Sequence, residues 1–117
     1  MAKYRPYRKL GRTQTHREAT LRNLALALFQ HEKIKTSEAK AKELRRYSEK
    51  IISWAKKNDL TARRAIARKI KNPTISKKIF EVLVPRYQNH PGGYTQIFKI
   101  GSRDSDGASL CLIKLVS

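Results

Sequence analysis

Apolar positions recur at helical spacing through most of the chain and then change to a two-residue period. Leu21, Leu24, Ala25 and Leu28 fall three or four apart, with Phe29 beside them. This predicts a first helix over residues 15–30. Thr15-His16-Arg17-Glu18 has the capping-box form, in which Thr15 accepts from the Glu18 amide and Glu18 reaches back. No charge occurs between Asn23 and Gln30, so this helix is expected at the centre of the core. Lys33-Ile34-Lys35-Thr36 reads as a short strand. Thr36 or Ser37 then offers an N-cap for a second helix ending near Lys57. At 100° per residue, Leu44, Tyr47, Ile51, Trp54 and Ala55 gather on one arc of that helix. Lys42, Arg45, Arg46, Lys50, Lys56 and Lys57 gather on the opposite arc, so one face is core and the other cationic.

Asn58-Asp59 ends the second helix and can cap a third over residues 60–70. There Ala62, Ala65, Ile66 and Ile70 oppose Arg63, Arg64, Arg68 and Lys69. Asn72-Pro73-Thr74 breaks that pattern, and Thr74 is expected to cap a fourth helix, with Ile75, Ile79, Phe80 and Leu83 as its stripe and Pro85 as its stop. After Pro91-Gly92-Gly93 the period changes. Residues 94–100 alternate weakly, residues 101–107 form a polar turn, and residues 108–116 read as a strand with both faces partly covered. The expected fold class is α+β. About four helices pack with a small mixed sheet, made of the strand near Ile34 and a C-terminal hairpin. The predicted organisation is an extended basic arm over residues 1–13 and a single globular domain over residues 14–117.

Charge changes the picture most. Of 117 residues, 27 are Lys or Arg and 9 are Asp or Glu, for a net charge of +18. Residues 1–71 hold 21 of those cations against 6 acids. Lys3, Arg5, Arg8, Lys9 and Arg12 accumulate in the arm without one acid, and Tyr4 and Tyr7 lie among them. Such an imbalance opposes compaction unless a polyanion neutralises it. Nucleic acid is the natural partner. An acid-free arm can follow a phosphate backbone and stack its tyrosines on unpaired bases, although a solvated terminus has the same composition. On the second helix Glu38 and Glu43 can pair with Lys42 and Arg46, which leaves a surplus of cations for phosphates.

Other chemistry finds little support. Cys111 is the only cysteine; it sits in an apolar run with no cation beside it, which suits an inert buried thiol in a reducing compartment. No run approaches the ~20 apolar residues of a membrane span, and the basic start has no apolar segment of a secretory signal behind it. His16, His31 and His90 lack metal-ligand spacing. Asp104 and Asp106 are too few for a calcium loop. No catalytic residue, metal, cofactor, membrane or small-molecule substrate is expected. Gly92-Gly93 suits either a close approach to a ligand or an ordinary loop.

Several blocks in register carry a family resemblance. They are Arg8-Lys9-Leu10-Gly11-Arg12, His16-Arg17, Leu21-Arg22-Asn23-Leu24, Thr36, Ala39-Lys40-Ala41-Lys42-Glu43-Leu44-Arg45, Asp59-Leu60, Ala62-Arg63-Arg64, Pro85-Arg86-Tyr87 and Gly92-Gly93-Tyr94-Thr95. Together they resemble the bacterial large-ribosomal-subunit protein seventeen family, over essentially the whole chain. The resemblance implies a small α+β protein of the large subunit, near where the nascent chain exits, with no catalysis. Its implied partners are large-subunit ribosomal RNA and neighbouring ribosomal proteins, in a cytoplasmic, ribosome-bound setting. The RNA contacts it implies fall on Arg8, Lys9, Arg12, His16, Arg17, Arg22, Lys40, Lys42, Arg45, Arg63, Arg64 and Arg86. The charge pattern adds Lys3, Arg5 and Arg46. The chain departs from the family at Ala2-Lys3, at Gln96 and in the acidic turn at Asp104 and Asp106.

Two rivals frame this expectation. One is a helix-turn-helix or nucleoid-type DNA-binding protein, but the third helix lacks Asn or Gln at its start to read adenine, and the connection before it has no glycine. The other is a basic nuclease using His16, for which no paired acid or base is evident.

Overall fold

The computed structural model describes residues 14–102, 107 and 109–117. The readings of the N-terminal arm and of Asp104 and Asp106 lie outside those residues.

The first helix, α1 (Gln14–His31), holds the centre. Ala25, Leu28 and Phe29 are fully buried and Leu21 nearly so. Their neighbours Leu24 and Leu26 pack on the margin of the same cluster. Other elements cover α1 on several sides, which is why its apolar residues are not confined to one stripe. The helix starts at Gln14, so Thr15 lies in its first turn and not at the capping position expected for it. It ends at Glu32, which adopts the left-handed conformation at φ 66° and donates its amide to the Leu28 carbonyl at 2.7 Å. Glycine or asparagine usually fills such a position. Here tertiary bonds hold the strained residue: the Leu115 amide donates to its carbonyl at 2.9 Å, and two cations grip its carboxylate.

Strand β1 (Lys33–Ser37) leads directly into α2 (Glu38–Lys57). The Ser37 hydroxyl accepts from the Lys40 amide at 3.4 Å, which fulfils the expected N-cap. Ala41, Leu44, Ile51, Ile52 and Ala55 form the buried face of α2. The buried Ser48 hydroxyl is satisfied by the Leu44 carbonyl of the preceding turn at 2.8 Å. Trp54 and Tyr47 lie at the rim of this face and are only half-buried, which corrects their expected place within the core. Asn58 closes α2 in the left-handed conformation at φ 51°. A connection without glycine therefore still makes a tight corner, because asparagine tolerates this conformation.

Asp59 caps α3 (Leu60–Lys69) by accepting from the Ala62 amide at 2.7 Å. The next helix, α4 (Pro73–Lys78), is capped by Asn72, whose side-chain oxygen accepts from Thr74 and Ile75. Pro73 takes the first helical position, so Thr74 is already inside the helix. Pro85 does not stop it. A wide π turn over Ile79–Leu83 carries it into a last turn, Val84–Arg86. Within the π turn the Val84 amide reaches back to the Ile79 carbonyl, five residues away. That widening moves the carbonyls a proline ring would otherwise strike, so Pro85 fits inside the segment.

The tail forms β2 (Thr95–Ser102) and β3 (Ser109–Leu115). The sheet order is β1-β3-β2. Both pairings are antiparallel, so the sheet is not mixed as expected. Ile34 and Ile97 both face Ile113 across the strands, and Leu115 pairs with Thr95. Cys111, Ile113 and Leu115 of β3 are buried on the helical side, with the alternate residues Leu110, Leu112 and Lys114 half-covered. The register slips between Lys99 and Gly101. Gly101 has φ 127°, which an L side chain rarely adopts, so the bulge requires glycine there. The result is the α+β class expected, with the helices packed on a three-stranded sheet.

Candidate nucleic-acid interface

Helices α2 and α3 position 11 of the 27 Lys and Arg residues. On α2, Lys42, Arg45, Arg46, Lys50 and Lys57 are exposed, because the apolar residues at the complementary positions turn inward. Two of them carry local partners. Lys42 pairs with Glu38 at 3.3 Å and Arg45 with Glu49 at 3.2 Å, each one helical turn away. The Lys42 ammonium, then the charge of Lys99, holds the Glu38 carboxyl below its usual range. Glu49 is also bound by the Thr95 hydroxyl at 2.8 Å, which ties α2 to the start of β2. Among the described residues, no ion pair engages Arg46, Lys50, Lys57, Arg64 or Arg68. Arg46, Lys57, Arg64 and Arg68 face water with their charge uncompensated, and the Lys50 ammonium lies over the Trp54 ring.

The remaining expected contacts divide by environment. Lys3, Arg5, Arg8, Lys9 and Arg12 lie outside the described residues. His16 is exposed near the start of α1, while Arg22 and Lys40 are half-buried. Arg17 is buried at 3% exposure, within the same cavity wall as the buried Glu43. Arg63 is exposed, but its guanidinium bonds the Asn58 side-chain oxygen at 2.8 and 3.1 Å and lies 4.7 Å over the Phe80 ring. It thereby joins the α2–α3 corner to the last helix.

Arg86 is held most firmly. Its guanidinium donates to both Glu32 carboxylate oxygens, at 2.6 and 3.3 Å, and Lys78 reaches the same carboxylate at 3.2 Å. The Arg86 bonds, with help from Lys78, draw the Glu32 pKa from 4.5 to about 2. A depressed carboxylate stabilises the fold above its unfolded pKa, and that contribution vanishes as pH falls through the folded value. Glu32 is about a third exposed, so solvent screening leaves roughly 1 kcal/mol of this. Glu32→Gln is therefore expected to lose about 1 kcal/mol at pH 7 in urea melts. The two proteins should converge as pH drops from 4.5 towards 2. A constant difference across that window would show that charge is not the cause.

The Gly92-Gly93 loop is anchored from below. Lys56 donates to the His90 carbonyl at 2.5 Å and to the Tyr94 hydroxyl at 3.0 Å. Tyr87 is buried beneath it, its ring 5.2 Å from that of Tyr94 and its hydroxyl bonded to the Val116 carbonyl. This arrangement is structural.

One concave feature combines cations with rings. Between α1, α2 and α3 a cavity of about 250 Å³ is walled by Tyr47 and Trp54, with Arg46, Lys50 and Lys69 around them. The Lys50 ammonium sits 4.9 Å from the Trp54 ring centre. Burial pushes the Tyr47 phenol pKa up. Sequence reasoning had placed both rings in the core. The i,i+4 spacing of Lys50 and Trp54 was the available signal, because a cation one turn from a tryptophan places its charge over that ring only at a wet edge.

Residues 20–116 match the family described as Ribosomal protein L17. The chain belongs to that family. It is similar to the large ribosomal subunit protein bL17 of Endomicrobium trichonymphae, with 55% identity covering 93% of each chain. The bL17 protein of Pelobacter propionicus is 47% identical over 93% of this chain and 86% of its own. That of Halothermothrix orenii is 46% identical over 95% and 97%. The L17 family is one of ribosomal structural proteins and not of enzymes. No described helix is long and apolar enough to cross a membrane.

Proposed function

We propose that this protein is a structural constituent of the bacterial large ribosomal subunit, where it binds and stabilises large-subunit ribosomal RNA by neutralising phosphates. The observation that carries this reading is the uncompensated charge of Arg46, Lys57, Arg64 and Arg68, displayed on two adjoining helices. The bL17 relatives carry the large subunit in their names. The partners are that RNA and neighbouring large-subunit proteins, in the cytoplasmic ribosome. Recognition reads RNA shape and backbone more than sequence. Counterion release supplies the driving force.

The arm of residues 1–13 adds Lys3, Arg5, Arg8, Lys9 and Arg12 to this surface, followed by His16 and Arg22 on α1, whereas Arg17 is buried. Among the helix contacts, Lys40, Lys42, Arg45, Arg46, Arg63 and Arg64 work from α2 and α3, and Arg86 stabilises the scaffold through Glu32. Deletion of residues 1–12 is expected to leave the helical circular dichroism and melting point nearly unchanged. Binding to isolated large-subunit RNA should weaken, with a shallower dependence on salt. An unaltered affinity and salt slope would remove the arm from the mechanism. A protein that sediments with DNA after RNase treatment of a lysate would instead favour the nucleoid reading.

A further inference from the structure

The cationic helices account for phosphate binding, but they do not explain why two large aromatic rings stand half-exposed between them. We propose that the crevice between α1, α2 and α3 seats one unstacked nucleobase of the bound RNA, a step that rests on the RNA-binding reading above. Its volume, about 250 Å³, lies below the ~300–1,000 Å³ of pockets for drug-sized ligands and suits a single flat ring system. Tyr47 and Trp54 supply the aromatic surface, and unpaired bases in RNA are characteristically held on such rings. Arg46, Lys50 and Lys69 surround them, so a base inside would keep its phosphate within reach of three cations.

The charge distribution selects the occupant. Glu18 and Glu43 share the wall with the cations. The exposed Glu18 carboxylate would repel an acidic side chain placed beside it, whereas a neutral base carries no charge to be repelled. The basic arm of this chain is a poor occupant for the opposite reason: four cations and two acids line the cavity, leaving it net positive. Only a ligand with a neutral flat part and an anionic part outside it satisfies both regions, and a nucleotide has that form. Lys50 now rests over Trp54. A phosphate at the rim would draw this ammonium towards itself and uncover the ring for stacking.

Trp54 is the only tryptophan in the chain, so its fluorescence reports on this crevice alone. The full chain would be titrated at low salt with an eight-nucleotide oligoadenylate. A second probe is the abasic oligomer of the same length, which has the same phosphates and no bases. The expected result is quenching by oligoadenylate and little change with the abasic strand, although both bind. In filter binding to oligoadenylate, Trp54→Ala should weaken the complex by about tenfold. Trp54→Phe, which keeps a ring, should stay within about threefold, and both variants should retain wild-type circular dichroism. Binding of both oligomers with unchanged Trp54 emission would overturn the base seat and leave phosphate binding intact. So would equal quenching by the abasic strand or by oligoglutamate. Failure of the chain to bind even isolated large-subunit RNA would overturn the RNA-binding reading itself and the base seat with it.

Discussion

Replacing Arg46, Lys57, Arg64 and Arg68 together by alanine is expected to reduce affinity for large-subunit RNA on the order of 10²–10³-fold at 0.1 M salt. The slope of log affinity against log salt should fall by about 3. All four side chains are exposed, and no described carboxylate pairs with them. Their positive charge therefore has no established role within the fold. Alanine favours helix at least as well as Arg or Lys, so thermal stability should hold or rise slightly as self-repulsion is relieved. Arg86 provides the contrast, because its charge is spent on Glu32. Arg86→Ala should lower the melting point and leave the salt slope nearly unchanged. If the fourfold variant kept its slope, the two helix surfaces would not be the ones that meet phosphate.

The contrast between Arg86 and Arg64 also shows what a sequence can and cannot reveal about a cationic protein. Both are cations carried on helical segments. What separates them is Glu32, 54 residues before Arg86, which no local pattern connects to it. Arg17 is a similar case, a cation near the start of a helix that the fold buries. By contrast, the division of α2 into a core face and a charged face was legible, because burial and charge both follow the 3.6-residue period. The strand pairing of Ile34 and Ile113 could be suspected from two short β-prone runs, but not its antiparallel register. Pro85 misled because the rule that proline ends a helix assumes a regular turn before it, and the π turn at Ile79–Leu83 removes that assumption. Trp54 misled because it lies at the margin of the apolar arc, where periodicity alone does not separate core from crevice.

Phe29→Ala is expected to be the most damaging single change to the fold. Phe29 is completely buried, as is Leu28 beside it. Adjacent helical residues point about 100° apart, so both can be buried only when packing surrounds the helix on more than one side. The sheet, α2 and α4 supply that packing. None of these elements can move into the space left by the phenyl ring without abandoning its contacts elsewhere, so a cavity should remain. The loss should be about 3–5 kcal/mol. That is a large share of the roughly 5–15 kcal/mol available to a domain of this size. Thermal melts should show a fall of about 12–20 °C. Trp54→Ala is the control: a larger ring is removed from a half-exposed site, so neither full transfer from water nor a closed cavity is at stake. It should lose less than about 2 kcal/mol. If the two losses proved equal, Trp54 would belong to the core after all. The rim of α2 would then be closed in solution, and a ring needed to hold the fold together would not be free to receive a base.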